Sequence, residues 1–219
     1  EKTDESVVRF LDKVCQTKLE PYIESSYEAL AKYVSAYEQK MFMKRENIAN
    51  KGIWTAKKRY ILNVWNSEGV QYAEPKLKVM GIEAVKSSTP GACRDKIKEC
   101  LKVIMNEDEE ASQKFIASFK DEFQRLPIED ISFPRGCNNL NKWANPSSIY
   151  SKGTPIHVRG ALLYNHYNKK NNLTHKYPLI QDGEKIKFIY LKTPNKYGEN
   201  VISYLQTLPK EFALDKYID

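Results

Sequence analysis

Ile53-Trp54-Thr55-Ala56-Lys57-Lys58-Arg59-Tyr60-Ile61-Leu62-Asn63-Val64-Trp65-Asn66-Ser67-Glu68-Gly69-Val70-Gln71-Tyr72 decides how this chain folds. Ile53-Trp54 and the run from Tyr60 to Trp65 are strand-like, Asn66-Ser67-Glu68-Gly69 is a turn, and Val70-Gln71-Tyr72 resumes the strand, so the stretch predicts an antiparallel hairpin. Lys57, Lys58, Arg59 and Tyr60 precede the apolar run. If they belong to the second strand, the pleat sends neighbours to opposite faces and puts Lys58 and Tyr60 on the same one.

Upstream, Val7, Val8, Leu11 and Val14 recur at helical spacing, as do Ile23, Tyr27, Leu30, Val34 and Tyr37. They predict two helices separated at Pro21, both packed on the sheet, with Met41-Phe42-Met43 as a further strand-like segment. Downstream, Ser87-Ser88-Thr89-Pro90 reads as a helix start with Thr89 as N-cap and Pro90 in the first turn. Ile97, Cys100, Leu101 and Ile104 form one apolar stripe, and Phe115, Phe119, Phe123 and Leu126 form another, so two packed helices are expected. From residue 131 the chain is basic and loop-rich, with strands predicted at Ile156–Leu163 and Lys185–Tyr190 and a helix near Asn200. The fold class read from this pattern is α+β, with a boundary between residues 1–82 and 83–219.

The 219 residues are 41% hydrophobic and 11% aromatic, enough to bury a core. No apolar run is long enough to span a bilayer, and the first twenty residues are too charged for a signal peptide, so a cytosolic setting is expected. The chain starts at Glu1 rather than Met and stops at Tyr217-Ile218-Asp219 within a helix-like pattern, as a piece of a longer protein would. Cys15, Cys93, Cys100 and Cys137 include no C-x-x-C pair, and His157, His166 and His175 match no common zinc spacing. Four reduced, mostly buried thiols and no structural metal are expected; His157, between Ile156 and Val158, reads as a half-buried strand residue.

The net charge of +7 is uneven. Residues 41–90 hold nine basic and four acidic side chains and residues 131–219 thirteen and six, whereas 1–40 and 91–130 are net acidic. Basic, aromatic-rich segments alternating with acidic helical ones suit a protein that lays selected surfaces along a polyphosphate.

Trp54-Thr55-Ala56-Lys57-Lys58-Arg59-Tyr60, then Asn63-Val64-Trp65, then Tyr72-Ala73-Glu74-Pro75-Lys76-Leu77-Lys78-Val79-Met80-Gly81-Ile82-Glu83, then Lys86-Ser87-Ser88-Thr89-Pro90, resembles the family B DNA polymerases of the T-even bacteriophage type. The resemblance extends upstream through Leu19-Glu20-Pro21 and Met41-Phe42-Met43-Lys44-Arg45-Glu46, and downstream through His157-Val158-Arg159-Gly160, Tyr164-Asn165 and Gly183-Glu184-Lys185. It implies that residues 1–82 are the C-terminal part of a polymerase palm, with helices on a small antiparallel sheet. Residues 83–219 would be a truncated, mainly helical thumb with short strands.

In that setting Lys58 and Tyr60 face newly made primer–template DNA. Minor-groove acceptors sit alike in every correct base pair, so donors there test pair geometry without reading sequence. Lys57, Arg59 and Lys86 join them as DNA-binding residues, and Arg135 and Asn138, in Phe133-Pro134-Arg135-Gly136-Cys137-Asn138-Asn139, offer donors to phosphates. The resemblance also implies a Mg2+-dependent nucleotidyltransferase whose catalytic aspartates lie outside this chain, since no D-T-D occurs in it. The chain alone is therefore expected to be inactive. Deoxynucleotides and a sliding clamp are partners of the longer protein only, because Leu214-Asp215-Lys216-Tyr217-Ile218-Asp219 does not match the family's clamp peptide. Glu46 corresponds to a carboxylate near the active site, but Lys44 stands where relatives carry Asp, and Asn50-Lys51-Gly52 is shorter than the family's Gly/Pro-rich connection. The cytoplasm of an infected bacterium is the implied location. A stand-alone or split-gene, non-catalytic nucleic-acid-binding module, or a basic phage scaffold protein, remains an alternative on sequence.

Overall fold

The computed structural model describes residues 4–218 and divides into two compact units, residues 1–82 and 83–219. In the first, helix α1 (Asp4–Val14) runs through a π-helical turn (Cys15–Leu19) into α2 (Glu20–Tyr33). Pro21 does not separate two helices as the sequence suggested. Its missing N–H falls in the first turn of α2, and the wider turn before it is closed by Glu20 N–H donating to Cys15 O. α1 rests on the sheet through the buried Val8. Of the predicted stripe, Ile23 and Tyr27 on α2 are half-buried, whereas Leu30, Val34 and Tyr37 are exposed. Met41-Phe42-Met43 is an exposed irregular segment rather than a strand.

Three strands follow as an antiparallel meander, β1 (Asn47–Ala56), β2 (Arg59–Ser67) and β3 (Val70–Met80), with β2 in the middle. Asn50-Lys51-Gly52 lies inside β1 instead of forming a connection. Ile61 and Val64 of β2 are buried, and the buried amides of Asn63 and Asn66 are satisfied within the sheet by Asn50 (2.9 Å) and Gln71 (3.3 Å). Glu68 and Gly69 close the β2–β3 hairpin with both φ angles positive (52° and 87°), the backbone of a tight turn that follows the twist of the strands.

The second unit opens with a 3-10 turn (Glu83–Val85) and two antiparallel helices, α3 (Gly91–Asn106) and α4 (Glu109–Phe123). α3 starts one residue later than predicted. Pro90, with ψ 144°, is its N-cap, so Thr89 caps nothing. Asp108 caps α4 by accepting from Ala111 N–H at 2.8 Å, and Lys96 of α3 reaches Glu122 of α4 at 3.0 Å. Short elements α5 (Ile128–Ile131), β4 (Phe133–Gly136), α6 (Leu140–Trp143), β5 (Ala144–Asn145) and β6 (Ile149–Tyr150) lead to α7 (Ile156–Lys170), β7 (Lys185–Tyr190) and β8 (Val201–Tyr204). β4, β7 and β8 form an antiparallel sheet in that order. The chain is thus α+β, with helices and small antiparallel sheets in both units.

Two assignments in this unit are reversed. Ile156–Leu163 is the start of helix α7, not a strand, and the chain after Asn200 is strand β8, not a helix. Val158, Ala161, Leu162, Leu163 and Tyr164 are all buried, and so is every residue of β8. Elements buried on every side read as continuous apolar runs and lose the periodicity that separates helix from strand. The chain ends in 3-10 turns (Lys210–Phe212 and Asp215–Tyr217), with Ile218 bridging to Leu191 rather than continuing a helix. All four cysteines are free; Cys137 is buried, whereas Cys15, Cys93 and Cys100 are only half-buried.

α7 lies directly on β8 at Gly160. A Cβ there would overlap Ser203 Oγ and come within 2.8 Å of Ser203 N and 3.0 Å of Ile202 C. Ser203 Oγ in turn donates to His157 O at 2.8 Å, so the two backbones are laced together. Gly160→Val should therefore destabilise the second unit by about 1–3 kcal/mol through overpacking, even though helix propensity favours the change. Urea unfolding followed by circular dichroism checks this; a variant as stable as the parent would mean that α7 and β8 can separate freely.

Candidate nucleic-acid interface

In the first unit, Lys57 and Lys58 are the two residues of the β1–β2 turn, and Arg59 and Tyr60 begin β2. The expected sharing of one strand face by Lys58 and Tyr60 does not hold, because Lys58 is not in a strand. It sits at φ 61°, a left-handed backbone for a residue that is neither Gly nor Asn, just after a register shift between Trp54 and Ala56. Both lysines are exposed. Tyr60 is half-buried, paired across the sheet with the exposed Trp54 on one side and Met80 on the other. Two cations at a hairpin tip with a tyrosine and a tryptophan just behind them can meet phosphates and the floor of a groove together.

In the second unit, Arg135 lies on β4 and Asn138 in the loop after it; both are exposed. The loop is braced: Cys137 N–H donates to Glu184 O (2.8 Å), Gly183 N–H to Cys137 O (2.7 Å), and Leu140 N–H to Asp182 Oδ1 (2.8 Å). Burial pushes the Cys137 thiol up to about 11, so it stays protonated and unreactive. Arg135 lines a cleft of about 560 Å3 with Ser87, Arg94, Lys185, Lys187 and the first residue of α3, Gly91. The carboxylates of Glu129 and Asp130 share this cleft, and Lys187 Nζ donates to Glu129 O at 2.7 Å. Burial and the positive charge of Arg135 hold His157, a half-buried residue of α7, below the ordinary imidazole range.

Arg94, Lys185 and Lys187 were not singled out in the sequence. Lys185 and Lys187 had a legible signal, since alternate lysines in a predicted strand share a face. Arg94 had none; the fold alone brings α3 to the cleft that β4 and β7 line. Lys86, expected to bind DNA, is paired with Glu83, its Nζ 3.0 Å from Oε1 one turn back, and both side chains remain partly exposed.

The model of DNA polymerase family B matches residues 15–218. The chain belongs to DNA polymerase family B. It is 38% identical over 205 residues to the DNA-directed DNA polymerase of Escherichia phage RB69, an alignment covering 90% of this chain and 22% of that protein. It is 33% identical over 224 residues to that of Enterobacteria phage T4, covering 98% of this chain and 24% of that protein. This family B chain therefore spans less than a quarter of the length of these relatives.

Family B polymerases use divalent metal ions, and Glu46 is the carboxylate of this chain that the resemblance places near such a site. It does not fit. Glu46 precedes β1 between Lys44–Arg45 and an ion pair with Lys78 of β3, and Arg45 is itself paired with Asp12. Among the described residues, no three His, Cys, Asp or Glu side chains come together as a metal would require. A carboxylate already neutralised by an ammonium is a strand-end clasp, and its backbone repeats the role by accepting from Glu68 N–H at 2.7 Å. No step through magnesium is derived from this chain.

The hydrogen bond from Lys78, and then its charge, holds the Glu46 carboxyl below its ordinary 4.5; the same pair raises Lys78. A depressed carboxylate favours the folded state fully above the ordinary carboxylate range, and that contribution is lost as pH falls through the lowered value. Carboxyl-carbon NMR titration should place the Glu46 midpoint below 4.5, and Lys78→Ala should move it back up. A midpoint indifferent to Lys78 would refute the clasp.

Proposed function

We propose that this chain is the duplex-gripping part of a phage replicative DNA polymerase, residues 1–82 being the C-terminal part of the palm and residues 83–219 a truncated thumb. The observation that carries this reading is the β1–β2 hairpin tip, where Lys57, Lys58 and Arg59 cluster beside Tyr60. Lys58 and Tyr60 meet the minor groove of the primer–template, while Lys57 and Arg59 meet phosphates. The Arg94, Arg135, Lys185 and Lys187 cleft, with Asn138 beside it, takes phosphates in the second unit. Lys86 joins them when its pairing with Glu83 is exchanged for a phosphate oxygen. Binding is indifferent to base sequence, as copying demands.

Nucleotidyl transfer, magnesium, deoxynucleotides and the sliding clamp belong to the longer polymerase, which acts in the cytoplasm of the infected bacterium. Among the described residues no helix is long and apolar enough to cross a membrane.

Fluorescence anisotropy of this chain with a recessed primer–template and with single-stranded DNA, across a salt series, tests the proposal. The primer–template should be preferred, with a log–log salt slope of about one unit per phosphate contact. Arg135→Ala and Lys185→Ala should each flatten that slope by about one unit, whereas Lys58→Ala and Tyr60→Ala should weaken binding equally for all sequences. Equal, weak binding to both DNAs by a folded chain would sink it.

A further inference from the structure

The Lys57-Lys58 turn is built in a conformation that its own residues resist. Lys58 occupies the left-handed region, which Gly or Asn enters far more easily. A lysine persists there only where the surroundings over-determine the backbone. The surrounding group is Gly81, one residue beyond β3 and also left-handed at φ 65°. Met80 pairs with Tyr60 across the sheet, which brings the residue after β3 under the turn. A Cβ on Gly81 would overlap the carbonyl oxygen of Lys58, and would come within 3.1 Å of Arg59 Cγ and 3.3 Å of the Lys58 carbonyl carbon. The obstacle is backbone and cannot swing away as a side-chain tip can. The two left-handed residues therefore interlock: the absent side chain at Gly81 is the space into which the Lys58 carbonyl folds.

We infer that Gly81 is a positioning residue for duplex recognition, setting the direction in which the turn presents Lys57 and Lys58 while touching no nucleic acid itself. This rests on the reading of the hairpin tip as a DNA contact. The chemistry is geometric: the Lys58–Arg59 peptide, whose carbonyl folds onto Gly81, fixes where the turn ends and so the direction in which Lys57 and Lys58 leave it. The requirement is local, because Gly69, at the other end of the same sheet and also at positive φ, has no atom within 4 Å of its own added Cβ. Gly69→Ala thus strains the backbone without striking a neighbour, and separates the two effects.

The experiment compares Gly81→Ala with Gly69→Ala in the whole chain, alone and in a Lys57→Ala/Lys58→Ala background. Amide NMR shifts report on the turn without DNA, and anisotropy reports primer–template affinity. Gly81→Ala should move the amides of residues 57–59 and weaken binding by about tenfold, the scale of one or two charge-assisted contacts. Gly69→Ala should leave affinity unchanged, and in the double-alanine background Gly81→Ala should cost nothing further. A single glycine inserted between Lys58 and Arg59 keeps Gly81 and both lysines but lifts the carbonyl off its seat. It should give the same loss, and it carries the test should Gly81→Ala not fold. Unmoved turn amides, or a loss that persists without the lysines, would overturn the inference. If the turn moves and affinity does not, the inference also falls. Full affinity in Lys58→Ala as well would then show that the DNA reading of this turn is the part that failed.

Discussion

The middle strand β2 is hydrogen-bonded along both edges, and the layout of the first unit depends on that constraint. A strand paired on both sides cannot slip by one residue without breaking its register with both neighbours at once. Its buried residues, Ile61, Asn63, Val64 and Asn66, lock the register. The position of each end then follows: one end must turn at Lys57-Lys58 and the other at Glu68-Gly69. The basic tip is thus held by the core of the sheet, although neither lysine touches that core.

A comparable constraint governs the second unit at the contact of α7 with β8. Helix on strand at van der Waals distance of the two backbones requires a residue without a side chain, and Gly160 supplies it. The side chains around it, from Val158 to Tyr164, then fill the core with Phe188, Ile202, Tyr204 and Phe212. β7 is fixed between β4 and β8, which leaves Lys185 and Lys187 at the rim of the cleft that Arg135 shares. Core packing and charge are again separate surfaces of one strand.

Charge is not equivalent wherever it occurs. Among the basic residues, Lys78 is committed to Glu46, Lys86 to Glu83 and Lys96 to Glu99 and Glu122. Exposed pairs of this kind add little stability, but they decide which cations arrive at a polyanion already partnered. The net excess of +7 is therefore a poor guide to which cations lack a carboxylate partner.

The hairpin, the α3–α4 pair and the β7 strand were legible in the sequence, because each shows one face to the core and the other to water, and that contrast is what periodicity records. The same stretch carried the family, through side chains from Trp54 to Pro90. Val201–Tyr204, buried along its whole length, and Gly160–Tyr164 within α7, buried at five successive residues, were illegible for the opposite reason: without an exposed face, helix and strand look alike. The left-handed turn at Lys58 and the continuous helix through Pro21 were also beyond the sequence. In the first a neighbouring strand overrides the preference of lysine, and in the second a π-helical turn absorbs the missing N–H. Alternation of polarity is written residue by residue along a chain. Which residue lies under another, as Gly81 lies under Lys58, is set only when distant strands close on each other and sterics choose the backbone.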